Sequence, residues 1–247
     1  MIPAFNEEAE LPGLIASLCQ FMESKCWSFK IIVVDDGSTD RTKEILTERL
    51  SSHPLELVVH PKNLGLGAAM NSGLKKAVLN GAPGDIIVTM DADNTHQPSY
   101  VENLKALIEK GVDVAIASRY RRGSAQIGVS RIRVLGSIGI NGLYKAFFPI
   151  RGVRDYTTGF RAYRGEILTR AFNVFGDRLI EERGFTCMPE ILLKLRSLNI
   201  RVQEIPYVLR YDLKRGTSKM RLARTATRTL WLIVKLSYRR IKRAQGR

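Results

Sequence analysis

Short, mostly apolar runs recur along the chain: Ile31-Ile32-Val33-Val34, Leu55 to Val59, Ile86-Ile87-Val88 and Val112 to Ala117. Each is too short for a helix, is rich in β-branched residues and is bounded by turn-forming or polar residues, which predicts buried strands. A briefer first strand is expected at Ile2 to Ala4. Between the runs the period changes. Leu11, Leu14, Ile15, Leu18, Phe21 and Met22 recur every three or four positions, which places them along one face of a helix. Further helices are predicted from Ala68 to Leu79, from Ser99 to Lys110, from Val134 to Phe148 and from Gly184 through Leu195; Pro98 suits the start of the second. Ile200 to Tyr207 alternates like a half-buried strand, with Pro206 marking an edge or an end. Strand and helix in repeated alternation indicate an α/β fold, Rossmann-like, with a mostly parallel central sheet flanked by helices.

A chain of 247 residues suffices for one well-buried domain, and no repeat, linker or low-complexity spacer divides it. Cys19, Cys26 and Cys187 lack metal-ligand spacing and read as reduced, mostly buried thiols, which suits a cytosolic compartment. No signal-like start is found, nor an apolar run of the roughly 20 residues that a spanning helix needs. Charge changes the picture further. The net charge is +15, and from Arg201 onward fourteen Lys and Arg stand against two acids, so the last fifth carries +12. Such a basic end on a balanced body points to an anionic surface, either membrane headgroups or nucleic acid. The expected organisation is a catalytic unit over residues 1–219 and a basic amphipathic tail over 220–247.

The densest chemistry sits where the run at Ile86 stops, at Asp91-Ala92-Asp93. In an extended chain residues i and i+2 share a face, so both carboxylates can reach one ligand. Hard oxygen donors suit Mg²⁺ or Mn²⁺, a cation normally completed by substrate phosphates and water. Asp35-Asp36-Gly37-Ser38 ends another strand and reads both as a turn with a helix cap and as part of a ligand edge at the carboxyl ends of a parallel sheet. Gly65 and Gly67 permit a tight turn and close backbone approach. No Gly-Lys-Ser/Thr follows them, so they are not a Walker loop.

Taken in order, Ile2-Pro3-Ala4-Phe5-Asn6-Glu7-Glu8, Val33-Val34-Asp35-Asp36-Gly37-Ser38, Asn63-Leu64-Gly65-Leu66-Gly67 and the Asp91/Asp93 pair resemble the inverting glycosyltransferases of family 2. The resemblance implies a GT-A fold and a nucleotide-sugar donor, with the donor held by Pro3, Ala4, Phe5, Asn6, Glu7, Asp35, Asp36, Gly65, Asp91, Ala92 and Asp93. Phe5 stands where the family usually has Tyr. Ser118-Arg119-Tyr120, a following loop and then Arg131 or Arg133 narrow the likeness to polyprenyl-phosphate sugar transferases, the dolichol-phosphate mannosyltransferases among them. That implies an acceptor clamp of Arg119, Arg131 and Arg133, whose planar forks match a phosphate monoester. Asp155-Tyr156-Thr157-Thr158-Gly159-Phe160-Arg161 matches the family's Asp-x-Thr-Ser-Gly-Phe-Arg pattern. It adds Thr158 and Gly159 to the acceptor side, with Asp155 holding either a sugar hydroxyl or a neighbouring Arg. Glu190 matches a family acid on the acceptor side, and Arg210 and Lys219 match residues expected to close over the diphosphate.

The tail, Met220 to about Lys242, reads as a helix with Leu230, Ile233 and Val234 on or near one side and Lys and Arg around them. An interfacial helix on an anionic leaflet fits it best; the alternative is a helix packed on its own domain or on another subunit. The expected activity is transfer of a sugar, mannose or glucose, from a nucleoside-diphosphate donor (GDP- or UDP-linked) to a polyprenyl or dolichyl phosphate. The expected location is the cytosolic membrane face. A hydroxyl acceptor is the nearer alternative and would need Glu190 or Asp155 as base. No aromatic-basic pattern favours nucleic acid as the partner.

Overall fold

The structure is a computed structural model describing residues 1–82, 84–213 and 227–236. Strands β1 (Ile2–Ala4), β2 (Ile31–Asp35) and β3 (Leu55–Val59) pair in parallel, with β2 in the middle. A second set of four follows the spatial order β4 (Ile86–Thr89), β7 (Arg161–Arg164), β5 (Val114–Ser118) and β8 (Val202–Pro206). In it β7 runs antiparallel to both neighbours and β5 pairs with β8 in parallel. The two sets join at Met1, whose amino group donates to the Val88 carbonyl at 2.7 Å and whose carbonyl accepts from the Met90 N–H at 3.1 Å. β1 and β4 are therefore neighbours. A parallel ribbon of β6 (Ala125–Ile127) and β9 (Val208–Arg210) stands apart.

The helices are α1 (Leu11–Ser24), α2 (Thr42–Arg49), α3 (Leu66–Asn80), α4 (Tyr100–Glu109), α5 (Arg131–Phe147), α6 (Gly165–Phe175) and α7 (Cys187–Arg196). Alternation along the strands sorts side chains into two cores. Ile32, Ile87, Val114 and Ile116 pack with residues of α3, α5, α6 and α7. Ile31, Val33, Ala115 and Ala117 pack with α1 and α4 on the other face. The expected α/β class, with a mostly parallel sheet between helical layers, is what is observed.

β6, β9 and α6 were not anticipated, and three further departures bear on the site. β7 was not anticipated, because Arg-Ala-Tyr-Arg carries charge at both ends; Arg161 is nonetheless fully buried. Its Nη1 donates to the Met188 carbonyl at 2.9 Å and its Nη2 to the Tyr156 carbonyl at 2.7 Å, so the buried cation fastens β7 to α7 and to the turn before it. Helix α5 begins at Arg131, not Val134, which takes both candidate arginines out of a loop and into a helical first turn. Residues 227–236 are helical, but Thr229, Leu232 and Ile233 are buried while Leu230, Trp231 and Val234 are exposed. The i, i+3, i+4 spacing from Thr229 keeps Ile233 of the expected stripe but replaces Leu230 and Val234, and it packs in the same core as Tyr144 of α5 and Phe148 just after it. Residues 214–226, Lys219 included, and 237–247 lie outside the described residues.

The glycine pair at the start of α3 does what its spacing suggested. Gly65 has φ +98°, and a Cβ at Gly67 would stand 1.7 Å from the Glu182 carbonyl oxygen. The Gly67 N–H donates to the Arg183 carbonyl at 3.0 Å, so α3 and the 182–183 segment touch backbone to backbone. Gly67→Ala is expected to cost about 1–3 kcal/mol through forced separation, lowering the thermal midpoint by several degrees. An unchanged melting curve would falsify this account of the contact.

Candidate active site

A cavity of about 770 Å³ opens at the carboxyl ends of β1, β2 and β4. Pro3, Ala4, Phe5 and Glu7 form one wall, with Asp36 and Gly65 beside them. Asn6 is not on that wall. It has φ +53°, its Oδ1 accepts from the Thr39 N–H at 2.8 Å, and its own N–H donates to Ser38 Oγ at 2.9 Å, so it shapes the turn behind the wall. Asp35 is also turned inward: it is buried and its Oδ1 accepts from the Ser38 N–H at 3.0 Å. Asp36 edges the cavity, yet its oxygens are engaged with Leu64 N–H at 3.0 Å, Gly65 N–H at 2.8 Å and His60 Nδ1 at 2.7 Å. A carboxylate only accepts, so His60 Nδ1 donates to Asp36, and Nε2 stands in hydrogen-bond contact with Ser72 Oγ at 2.9 Å. Asn6 and Asp35, both expected at the donor, are thus placed in the loops behind the wall and not on it.

Asp91, Ala92 and Asp93 line the cavity together. His96 Nδ1 accepts the Asp91 backbone N–H at 2.9 Å and its Nε2 lies 3.6 Å from Asp91 Oδ2. The imidazole is buried and stacked on Phe160, 4.7 Å between centroids. Asp93 Oδ1 accepts from Thr95 Oγ1 at 2.6 Å, and the Thr95 carbonyl takes the Tyr207 hydroxyl at 2.5 Å. Burial, and then the charges of Asp91 and Asp93, push the Tyr207 phenol far above its ordinary range. It stays protonated and donates. Gly159 leaves room for the first carboxylate, since a Cβ there would stand 3.1 Å from Asp91 Oδ1. Two hard carboxylates at the wall of a cavity, one cradled by a glycine, suit a divalent cation completed by phosphate oxygens and water.

On another side stands Arg119, on the cavity wall and mostly buried. Its Nε donates to Asp155 Oδ2 at 2.8 Å, its Nη2 to Asp155 Oδ1 at 2.7 Å and to Thr157 Oγ1 at 2.7 Å. Burial alone would lower the guanidinium pKa, but the charge and hydrogen bonds of Asp155 outweigh it and hold it above its ordinary value. Of the two readings of Asp155, the structure realises the second: it holds an arginine. Thr158 and Gly159 do reach the wall.

The remaining candidates separate. Arg133 reaches the cavity and its Nη1 donates to the Tyr211 hydroxyl at 3.0 Å. Arg131 is exposed and off the wall, because residues two apart on a helix point about 200° away from each other. Glu190 is fully buried and off the wall. Its Oε2 accepts from Glu181 and Glu182 N–H at 2.9 and 2.8 Å and its Oε1 pairs with Lys194 at 2.8 Å. It fastens α7 to the preceding segment and stands behind the cavity wall, not on it. Arg210 is likewise off the wall, forked onto Asp212 at 2.9 and 2.8 Å. In place of Arg210 the wall contains Arg183 and Arg228, which no spacing in the sequence singled out. His96 and Tyr207 were also missed as supports of the acidic pair. A histidine three residues beyond an Asp-x-Asp was the one available signal.

An open, mostly parallel sheet with paired aspartates just past the end of β4 defines the GT-A class of fold. Residues 1–172 match the model of the family described as glycosyl transferase family 2, and the chain belongs to that family. It is 33% identical over 222 residues to a dolichol-phosphate mannosyltransferase of Pyrococcus furiosus, covering 90% of this chain and 58% of that protein. It is 29% identical to a polyprenol monophosphomannose synthase of Mycolicibacterium smegmatis, over 89% of this chain and 79% of that one. A dolichyl-phosphate beta-glucosyltransferase of Trichomonas vaginalis is 27% identical, over 83% and 63%. The chain thus spans little more than half the length of the archaeal relative. Glucosyl-3-phosphoglycerate synthase from Mycobacterium tuberculosis, solved with Mn²⁺, UDP and glucosyl-3-phosphoglycerate, superposes with a TM-score of 0.61 at 22% identity, covering 96% of this chain and 77% of that one. S. aureus TarS with UDP gives 0.55 at 19%, covering 85% and 59%. Both show the shared fold.

The Asp155 carboxyl is held below its ordinary range: burial pushes it up, and the Arg119 guanidinium more than reverses that. A depressed folded value contributes stability that is present above the unfolded value of about 4 and is lost as pH falls through the folded one. Asp155→Asn strands a buried guanidinium, so a loss of about 3–5 kcal/mol is expected at pH 7, with a shallower acid dependence below pH 4. Urea midpoints at pH 7 and pH 3 read both, and a variant as stable as the wild type at pH 7 refutes the assignment.

Proposed function

We propose that this protein transfers a hexosyl group, mannose or glucose, from a nucleoside-diphosphate sugar to a polyprenyl phosphate, with inversion at the anomeric carbon. One observation carries the reading. A single cavity bears paired carboxylates on one wall and, on another, Arg119 locked by Asp155 with Arg133 nearby. The donor and acceptor classes named for the relatives agree with it.

Asp91 and Asp93 would hold a Mg²⁺ or Mn²⁺ ion, which when bound supplies positive charge to the donor diphosphate. The rest falls to the chain's own residues. Arg119 and Arg133 bind the acceptor phosphate and aim one of its oxygens at the anomeric carbon. That oxygen forms the new bond to carbon as the bond to the diphosphate oxygen breaks, and the electron pair leaves with the nucleotide. A phosphate monoester is already ionised near neutral pH, so no base is required, which agrees with the burial of Glu190. Arg183 and Arg228 are placed on the wall to offset the charge of the departing diphosphate.

A lipid acceptor requires access from a membrane. Helix α5 lines the cavity through Ser137 and Ile140 and exposes Ile132 (76%) and Leu135 (68%) outward. Trp231, 57% exposed, and Val234 stand on the helical residues that share its core. No helix among the described residues is long and apolar enough to cross a membrane. We read the protein as peripheral, on the cytosolic face, with residues 1–219 as the catalytic unit and the basic segment 220–247 on the membrane side.

Purified protein is to be incubated with radiolabelled GDP-mannose, UDP-glucose and other nucleotide sugars, with a polyprenyl phosphate and with or without chelator. Label should enter the lipid fraction only with metal, and Asp91→Asn with Asp93→Asn should lower the rate on the order of 100-fold or more. Transfer at full speed by the folded double variant, or label appearing solely on a hydroxyl acceptor, overturns the proposal. Glu190→Gln should leave kcat within a few-fold and lower the melting temperature instead; a collapse of kcat in a folded Glu190→Gln protein would restore the general-base reading.

A further inference from the structure

Resting on that reading, we infer that Glu204 on β8 is a positioning residue for the acceptor clamp, setting Arg119 through the backbone of Asp155. Arg119 can only be as well placed as the carboxylate that holds it. Asp155 lies in an irregular stretch between α5 and β7, where no strand ladder fixes the backbone. Its position is set instead by side chains from neighbouring elements.

Glu204 supplies the anchor nearest the ion pair. Its Oε1 accepts the Arg154 N–H at 2.6 Å and the Asp155 N–H at 2.8 Å. Asn141 of α5 supplies the next, its Oδ1 accepting the Tyr156 N–H at 2.6 Å. Glu204 sits on a strand paired in parallel with β5 through the Ile116–Glu204 register, and β5 ends at Ser118, one residue before Arg119. Both sides of the Arg119–Asp155 pair are thus referred to the same two strands. The side chain of Glu204 is inaccessible to solvent, and its Oε2 lies 3.5 Å from Arg121 Nε. Burying a carboxylate to hold two N–H groups at one point of a loop is costly where loop placement is immaterial. It is useful where a guanidinium must meet a phosphate within a fraction of an ångström.

The test compares Glu204→Ala, Glu204→Asp and Glu204→Gln with Arg119→Lys in the full chain. It uses a short polyprenyl phosphate and whichever of GDP-mannose or UDP-glucose supports turnover, with thermal melts to establish folding. Gln keeps an oxygen for the two N–H groups and should stay within threefold of wild type in acceptor KM. Asp keeps the charge but withdraws the oxygen by one methylene; it and Ala should raise acceptor KM about tenfold or more, with donor KM within twofold. If Ala does not fold, the Asp and Gln pair decides. Equal changes in donor and acceptor KM, or a folded Gln variant as impaired as Asp, would overturn the positioning role. Should Arg119→Lys leave acceptor KM unmoved, the acceptor reading of the cavity itself fails. Should Arg119→Lys raise it while the Asp variant does not, the fault lies with Glu204 alone.

Discussion

A guanidinium group in a protein wall must have a counter-ion beside it, because an unpaired charge away from bulk water costs several kcal/mol. Here Arg119 meets that condition through Asp155, with two parallel N–H to oxygen contacts and a further bond to Thr157. The Asp155 carboxylate also receives the backbone N–H of Arg119, Thr157 and Thr158. One buried carboxylate therefore fixes both a side chain at the cavity and the loop that borders it. The Asp-x-Thr-Thr-Gly-Phe-Arg stretch is best understood as the housing of that pair.

Arg161, from the same stretch, works in the opposite direction from Arg119. It carries no carboxylate partner among the described contacts and spends its donors on the carbonyls of Met188 and Tyr156. Carbonyl dipoles can solvate a buried cation without neutralising it, and in doing so they bind the start of α7 to the turn after Asp155. Glu190 then fastens the first half of α7 to residues 181 and 182, and the backbone of 182 and 183 abuts the glycines opening α3. The walls of the cavity are in this way parts of one continuous packing arrangement.

Most of the architecture was legible because it rests on periodicity. The strands at 31, 55, 86 and 114, the helix stripes and the acid pair at a strand end are local patterns that tertiary contacts reinforce. What escaped reading depends on partners distant in sequence. Glu190 and Arg210 look like free functional groups in a string of letters, yet one is taken up by Lys194 and two backbone N–H groups and the other by Asp212. Arg131 and Arg133 could be told apart only once the helix start was known, since a helix turns them to different sides. The stripe at 229, 232 and 233 won over its neighbour because the α5 core was there to receive it; composition alone favours neither.

The separation of charge across the cavity also has to be maintained. Carboxylates and guanidinium groups sharing about 770 Å³ would pair directly if their side chains were loose, and a collapsed pair binds no ligand. The basic side is kept from that by prior commitments: Nε and Nη2 of Arg119 are committed to Asp155 and Thr157, and Nη1 of Arg133 is held at Tyr211. On the acidic side, the Asp91 backbone is tied to His96, and the Asp93 carboxylate to Thr95. Tyr207, kept protonated by its burial and by the two aspartates, ties that turn to the strand end beside β8. Each wall is thus held by its own supports, so the two opposite charges stay apart across the cavity and each can face a ligand.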